Sequence, residues 1–175
     1  MKRLWTTLAL SACASAVLLF GLPSSVATAG GKPVRAPMPD AAVTFDLPAG
    51  QACTFEVTGV PVVNREFTTT FPAGPNGDVK VTVDGLLIER LTNVSTGKAI
   101  VLNVSGPAVL VYHADGSISG TAYGPSLLHL SPTDVPPGPI FVVNYGRIVA
   151  TITAGGQFIV QSRFGPEFNI CRALS

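Results

Sequence analysis

The chain has 175 residues, with 11 Lys or Arg against 10 Asp or Glu and a formal net charge of +1. Charged residues make up only 12%, whereas Gly (18) and Pro (15) are abundant. This composition excludes nucleic-acid binders and membrane-surface binders that rely on clustered positive charge, and it does not suit long amphipathic helices.

The first 29 residues have the layout of a secretory signal peptide. Lys2 and Arg3 precede the apolar stretch from Leu4 to Leu22, and Ala27-Thr28-Ala29 is a small-x-small cleavage site. We therefore predict cleavage after Ala29 and export of the remaining chain. No later stretch reaches the roughly 18–20 apolar residues of a membrane helix, so we expect no transmembrane segment after signal removal.

Lipoprotein anchoring is the alternative for this segment. Leu10-Ser11-Ala12-Cys13 matches a short lipoprotein cleavage pattern, which would make Cys13 a lipid anchor. The apolar run continues past Cys13 to Phe20, where a lipoprotein would become polar. The signal-peptide interpretation is therefore preferred.

Residues 30–41 are rich in proline and are predicted to be a flexible, extended lead-in. Residues 42–175 have the right size for a single domain. Within it, short apolar or alternating runs read as strands. These runs are AVTFDL, CTFEVTG, EFTTTF, DVKVTV, LLIERLTNV, KAIVLNV, AVLVYHA, PIFVVNYGRIVATI and TAGGQFIVQS.

Turn residues separate these runs. We expect turns at Asp84-Gly85, Tyr145-Gly146 and Gly155-Gly156, and a hairpin tip at residues 114–117. A short helical turn is expected near Pro125–Leu130. The proline-rich stretch SPTDVPPGP, residues 131–139, is expected to be a loop because proline cannot continue a central strand.

About ten short strands with frequent turns predict an all-β fold. The expected architecture is an antiparallel β-sandwich or a small barrel, with a mixed α+β domain as the weaker alternative. No window predicts a helix of ordinary length with caps.

One hairpin can be predicted in detail. Two Asn-x-Ser sequons, which start at Asn93 and Asn103, lie on consecutive strand-like runs. Ser95-Thr96-Gly97 between them is a turn of hairpin length, with Gly97 at the position that needs a positive φ. We expect both asparagines to bond turn or strand-end backbone, so their ten-residue spacing follows from the hairpin.

Cys53 and Cys171 remain after removal of the signal peptide. An even number of cysteines in an exported chain suggests a disulfide between them. Two free thiols and a metal pair are the alternatives, although no further Cys or well-spaced His supports a metal site.

Four segments of the chain together carry a family resemblance, namely AGQACTF (49–55), LTNVSTGK (91–98), LNVSGP (102–107) and the closing CRAL (171–174). In these segments the chain resembles a family of uncharacterised secreted actinobacterial proteins. In that family an early Cys after an Ala-Gly turn is matched by one near the C-terminus. The resemblance implies a bacterial source, a β fold and the Cys53–Cys171 bond, and it implies no activity, cofactor or catalytic residue. A bacterial source also makes sugar attachment at Asn93 and Asn103 less expected.

Catalytic motifs are weak in this sequence. His113 and His129 are the only histidines that could serve as a base beside a nucleophile, and we expect both to be structural. The segment GSISG, residues 116–120, fails as a nucleophile elbow because its central residue is Ile118.

The acidic residues and the possible metal ligands also form no recognisable motif. Six acidic residues could supply a glycosidase pair, and we expect them to be solvent-facing strand charges. They are Asp46, Glu56, Glu66, Glu89, Asp134 and Glu167. Asn76, Asp78 and Asp84 do not have the spacing of a calcium loop, so neither a metal nor a cofactor is predicted.

The function expected from these features is that of a secreted, non-catalytic β-domain. It would act through its surface on the cell envelope or on another extracellular protein. Two alternatives are an exported hydrolase with dispersed catalytic residues, for which His113 and His129 are the weak candidates, and a small-ligand carrier with an apolar cavity.

Overall fold

The computed structural model describes residues 31–175. The signal-peptide interpretation of residues 1–29, including the cleavage site after Ala29 and the alternative at Cys13, lies outside the described residues. Twelve strands and two short helical segments make up the described part. The strands are β1 (Val34–Pro37), β2 (Phe45–Leu47), β3 (Val57–Thr70), β4 (Val79–Asn93), β5 (Ala99–Asn103), β6 (Ala108–Tyr112), β7 (Ile118–Tyr123), β8 (Ser126–Leu130), β9 (Ile140–Asn144), β10 (Arg147–Ile152), β11 (Phe158–Phe164) and β12 (Glu167–Asn169). A 3-10 turn spans Asp40–Ala42, and the helix α1 spans Ile170–Leu174.

The strands form two antiparallel sheets. The large sheet has the order β1-β3-β4-β6-β7-β10-β11, with β2 added beside β3 and β5 beside β4. The small sheet has the order β12-β9-β8. Both orders are open, so the all-β prediction is confirmed in its sandwich form.

Alternation along β4 shows how the sheets pack. Val81, Val83, Leu87, Glu89 and Leu91 are buried, and the even-numbered residues that alternate with them are more exposed. Side chains along a strand point alternately to opposite faces, so β4 turns one apolar face to the core. That face packs against Phe141 and Val143 of β9 and against α1.

A second core cluster lies on the opposite face of the small sheet. Leu128 and Leu130 of β8 and Val142 of β9 pack against Ile148 and Ala150 of β10. Consecutive residues of β9 therefore contribute to both clusters, which is why the run Phe141–Asn144 is buried without alternation.

Two expected turns are replaced by other structures. β4 continues through Asp84-Gly85 without turning, because these residues pair with Phe67 and Glu66 of β3. Tyr145-Gly146 is a link between the two sheets, since β9 pairs with β8 and β12 whereas β10 pairs with β7 and β11.

The expected helical turn near Pro125–Leu130 is also wrong. Ser126, Leu128 and Leu130 are buried and the residues between them are half-buried, which is the two-residue period of a strand. Pairing with β9 decides the conformation of this short apolar run. The adjacent residues 131–139 form the expected irregular loop.

The lead-in is more ordered than its proline content suggests. β1 pairs with the second half of β3, and Arg35 donates two hydrogen bonds to Asp84, at 2.8 and 2.6 Å. Met38 is buried, and its backbone N–H donates to the carbonyl of Glu66. An edge strand can include prolines because one side of its backbone needs no partner.

Candidate functional site

The large sheet has a solvent-facing side formed by β4, β6, β7, β10 and β11, which we call the outer face. Directly opposite residues of antiparallel strands lie on the same face. Ser119 of β7 lies opposite Val111 of β6 and Thr151 of β10. These residues alternate with the core-facing positions of the same strands and are half-buried, so the described residues leave them accessible.

A chain of three polar side chains occupies one end of the outer face. His113 Nε2 is 2.8 Å from Ser119 Oγ, and His113 Nδ1 is 3.3 Å from Asp78 Oδ2. The side chains of His113 and Asp78 are 33% and 36% exposed, so water and solutes reach them. The arrangement is that of an imidazole held between a hydroxyl and a carboxylate.

Hairpin geometry brings these groups together. The β6–β7 hairpin closes with the His113 N–H donating to the Ser117 carbonyl at 2.9 Å. Ser119 is two residues farther along β7 on the same face, which is within diagonal reach of His113. Asp78 directly precedes β4, the strand beside β6, and its Oδ1 accepts a hydrogen bond from the Ala114 N–H at 3.3 Å.

The sequence contained part of this information. His113 was a weak candidate, whereas Ser119 and Asp78 were not recognised as its partners. The hairpin tip at residues 114–117 places His113 and Ser119 diagonally across two neighbouring strands. The missing signal was the register of β4 against β6, which sets the position of Asp78.

His129 lies on β8 in the small sheet, apart from this group. Its Nε2–H donates to the carbonyl of Gln51 at 3.3 Å, and its ring meets Phe141 edge-on at 6.2 Å between centroids. Burial lowers the pKa of His129, and the hydrogen bond to Gln51 opposes that shift. These contacts fit a structural role for His129, in which burial favours the neutral imidazole.

An exposed row of large side chains occupies the other end of the outer face. Arg147 of β10 lies opposite Tyr123 of β7 on one side and Phe164 of β11 on the other. Tyr123 is 47% exposed and Phe164 is 65% exposed, and Arg147 is exposed between them. We call Tyr123, Arg147 and Phe164 the aromatic row.

Two glutamates expected at the surface are buried. Glu66 is 6% exposed and Glu89 is 1% exposed, and neither oxygen of the Glu89 carboxyl has a hydrogen-bond partner among the described residues. Burial raises the pKa of Glu66 to about 7, with a smaller contribution from Asp84. Burial, Glu66 and Asp40 together raise the pKa of Glu89 to about 7. Sequence reasoning missed these residues because the strand register is needed to show that Glu89 lies on the core face of β4.

The β4–β5 hairpin uses its two asparagines differently. Asn93 is 2% exposed, donates through Nδ2 to the Leu174 carbonyl at 3.1 Å, and accepts through Oδ1 from the Ser95 N–H and hydroxyl. Asn103 is exposed, and within residues 31–175 its side-chain oxygen accepts only from the Ser105 N–H, at 3.0 Å. Gly97 has φ 72° at the turn, a conformation that favours glycine.

The two cysteines form a disulfide across the fold. Cys53, in the irregular segment before β3, is bonded to Cys171 of α1, with their Cα atoms 5.5 Å apart. Cys53 is therefore not in the strand that the sequence predicted around it. A disulfide of this kind is typical of an oxidising compartment.

Two common structural features are absent from the part of the chain that the structure describes. Within residues 31–175, no group of three or more His, Cys, Asp or Glu side chains has the arrangement of a metal site. None of the helices in that range is long and apolar enough to cross a membrane.

Comparison with known proteins adds no relationship. No protein-family model matches the chain, and neither the curated proteins nor the solved structures include a significant match.

Proposed function

We propose that the protein is an exported β-domain that binds an anionic polymer of the cell envelope through the aromatic row. The single observation that carries this proposal is the exposure of Tyr123, Arg147 and Phe164 side by side on three adjacent strands. Export rests on the signal-peptide pattern of residues 1–29, and the Cys53–Cys171 bond supports it.

The chemistry of the row favours a polymer that carries both flat rings and negative charge. Adjacent strands lie about 4.8 Å apart, so Tyr123 and Phe164 stand about 10 Å apart with the Arg147 guanidinium between them. Exposed aromatic rings offer faces to sugar rings, and a guanidinium binds carboxylate or phosphate through paired hydrogen bonds. No acidic side chain is paired with Arg147 among the described residues.

The test is sedimentation of the exported protein with isolated cell walls. We expect Phe164→Ser and Arg147→Ser each to weaken binding, and we expect the Arg147 contribution to decline as ionic strength rises. Walls stripped of their anionic polymers should bind less protein than intact walls.

The chain supplies a matched control on another exposed strand pair. Arg90 of β4 lies directly opposite Val101 of β5, and both are exposed. Arg90→Ser and Val101→Ser remove an arginine and an exposed apolar side chain away from the aromatic row and should leave binding unchanged. Equal losses for both pairs, or no wall binding by the unchanged protein, would refute the proposed function.

A further inference from the structure

We propose that Ser119 is an activated nucleophile that accepts short acyl groups from carboxylic esters, with His113 as its base and Asp78 as the group that orients His113. This activity goes beyond binding at the aromatic row and departs from the expectation of a non-catalytic domain. Ser119 lies four strand residues from Tyr123, about 13 Å along β7, so the two sites are separate.

The two hydrogen bonds of His113 run in the direction that proton transfer from Ser119 requires. With the imidazole proton on Nδ1, His113 donates to Asp78 Oδ2 at 3.3 Å. Nε2 then accepts from the Ser119 hydroxyl at 2.8 Å. A carboxylate on Nδ1 holds the tautomer whose free nitrogen removes the hydroxyl proton, and it stabilises the imidazolium that forms.

Neighbouring side chains give the reacting ester two different environments. Val111, opposite Ser119 on β6, offers an apolar contact for a short acyl chain. Thr151, opposite Ser119 on β10, carries a hydroxyl whose oxygen already accepts from Gln161 Nε2 at 3.2 Å. Its O–H is therefore left to donate to an oxyanion that forms on the β10 side of Ser119.

The position of Ser119 within the sheet also limits which esters can react. Ser119 lies inside a strand that pairs on both sides, so its backbone belongs to the sheet and side chains must supply the oxyanion donors. An open, nearly flat site of this kind suits a small acyl group, such as an acetate ester on a larger molecule lying on the sheet. It does not suit a long acyl chain, which needs a deep apolar cavity.

The reaction has two balanced steps. Ser119 Oγ bonds to the acyl carbon while the bond from that carbon to the ester oxygen breaks, and the hydroxyl proton passes through His113 Nε2 to the departing alcohol. Water then attacks the acyl-serine, transfers a proton through His113 to Ser119 Oγ, and releases the carboxylic acid.

The experiment treats the exported protein, with its disulfide intact, with a fluorophosphonate probe. In that reaction Ser119 Oγ bonds to phosphorus, and fluoride departs. We expect tandem mass spectrometry to locate one adduct on Ser119. We also expect His113→Gln to slow labelling about 100-fold or more, the usual size of a general-base contribution. Release of the phenol from an aryl acetate should slow in parallel.

Two variants serve as controls. His129→Gln removes the other imidazole, and Ser162→Ala removes a half-buried serine on the neighbouring part of the outer face. Both should label at the unchanged rate, and Ser119→Ala should not label. The proposal is overturned if the folded protein carries no adduct on Ser119, or if His113→Gln labels as fast as the unchanged protein. The adduct is located in the unchanged protein, so this outcome can be read even if a variant does not fold.

Discussion

Asn93 and Asn103 begin the same Asn-Val-Ser sequence, and only Asn93 is part of the core. Its amide group joins the β4–β5 hairpin to the C-terminal helix through the Leu174 carbonyl and also closes the turn through Ser95. Asn103 makes the local turn contact alone and stays exposed. Identical local sequences therefore have different energetic roles, because only one lies beneath another element.

Replacing these asparagines one at a time should separate the two roles. We expect Asn93→Ala to lower the free energy of unfolding by about 2–3 kcal/mol, since a buried carbonyl loses its donor. Asn103→Ala should cost less than about 1 kcal/mol. Urea denaturation of both variants, with the disulfide intact, measures the difference. Equal costs would contradict the structural role of Asn93.

Glu89 is the second residue with a role that the sequence conceals. Its folded-state pKa of about 7 lies above the ordinary value of 4.5, so the folded state binds more protons than the unfolded state between these pH values. The free energy of unfolding therefore falls as pH rises from about 4.5 to about 7 and levels off above that range. The shift corresponds to about 3 kcal/mol for this carboxyl.

The substitution Glu89→Gln should remove much of that pH dependence. A neutral amide resembles the protonated carboxyl in size and cannot ionise, so we expect the variant to be more stable than the unchanged protein at pH 8. Near pH 4 the two should be similar. Glu66 retains its own raised pKa and should leave part of the slope. Chemical denaturation across pH 4–8 measures the pH dependence of the free energy of unfolding in both proteins.

Glu56→Gln provides the control for this pH series because Glu56 is exposed. It should show the same pH dependence as the unchanged protein. If Glu89→Gln also kept the full slope, Glu89 would not be the buried carboxyl responsible for it.

At the level of elements, the link between β9 and β10 shows how a hairpin-like sequence can join two sheets. Asn144 Oδ1 accepts from the Gly146 N–H at 2.9 Å, the Tyr145 N–H donates to Pro166, and the Gly146 carbonyl accepts from Gly124. The chain therefore pairs with other segments on both sides of the link. A Cβ at Gly146 would overlap the Phe164 carbonyl, so the close approach requires glycine.

Gly146→Ala and Gly155→Ala form a matched pair for this element. Gly155 lies at the tip of the β10–β11 hairpin, where an added Cβ meets nothing nearer than the Thr153 hydroxyl oxygen at 3.8 Å. We expect Gly146→Ala to cost about 1–3 kcal/mol through overlap, and Gly155→Ala to stay within about 0.5 kcal/mol. Guanidinium denaturation of both variants measures the costs. A mild effect at Gly146 would mean that the link is an ordinary turn.

For the whole molecule, the Cys53–Cys171 bond constrains nearly the entire described chain. It joins residues 118 positions apart and attaches α1 to the segment that precedes β3. The helix also contacts β9 and β5, with Ile170 and Leu174 fully buried. The bond therefore holds the last element of the chain against both sheets.

Removing this bond should destabilise the protein strongly. Loop-closure entropy for a separation above 100 residues corresponds to about 4–5 kcal/mol, which reduction or the double substitution Cys53→Ser/Cys171→Ser would remove. Thermal unfolding with and without reductant measures the loss, and the double variant should no longer respond to reductant. Two alkylatable thiols in the unreduced, folded protein would show that the bond is absent.

How much of the fold the sequence could predict depends on how far apart along the chain the residues behind each pattern lie. The two-residue alternation of DVKVTV and the glycine at the 95–97 turn arise between near neighbours, so they predicted the first part of β4 and the β4–β5 hairpin but not the continuation of β4 through Asp84-Gly85. The all-β antiparallel class followed from many such local signals. The short run SLLHL was misread because its period is too brief to distinguish strand from helix.

The sequence by itself determined the all-β class and most strand positions, because periodicity and turn chemistry are local. Only the tertiary structure decided that β9 and β10 belong to different sheets, that Glu89 is buried, and that Asp78 lies beside His113 and Ser119. Each of these depends on strand register between distant segments. A shift of one residue would turn the same side chains to the opposite face.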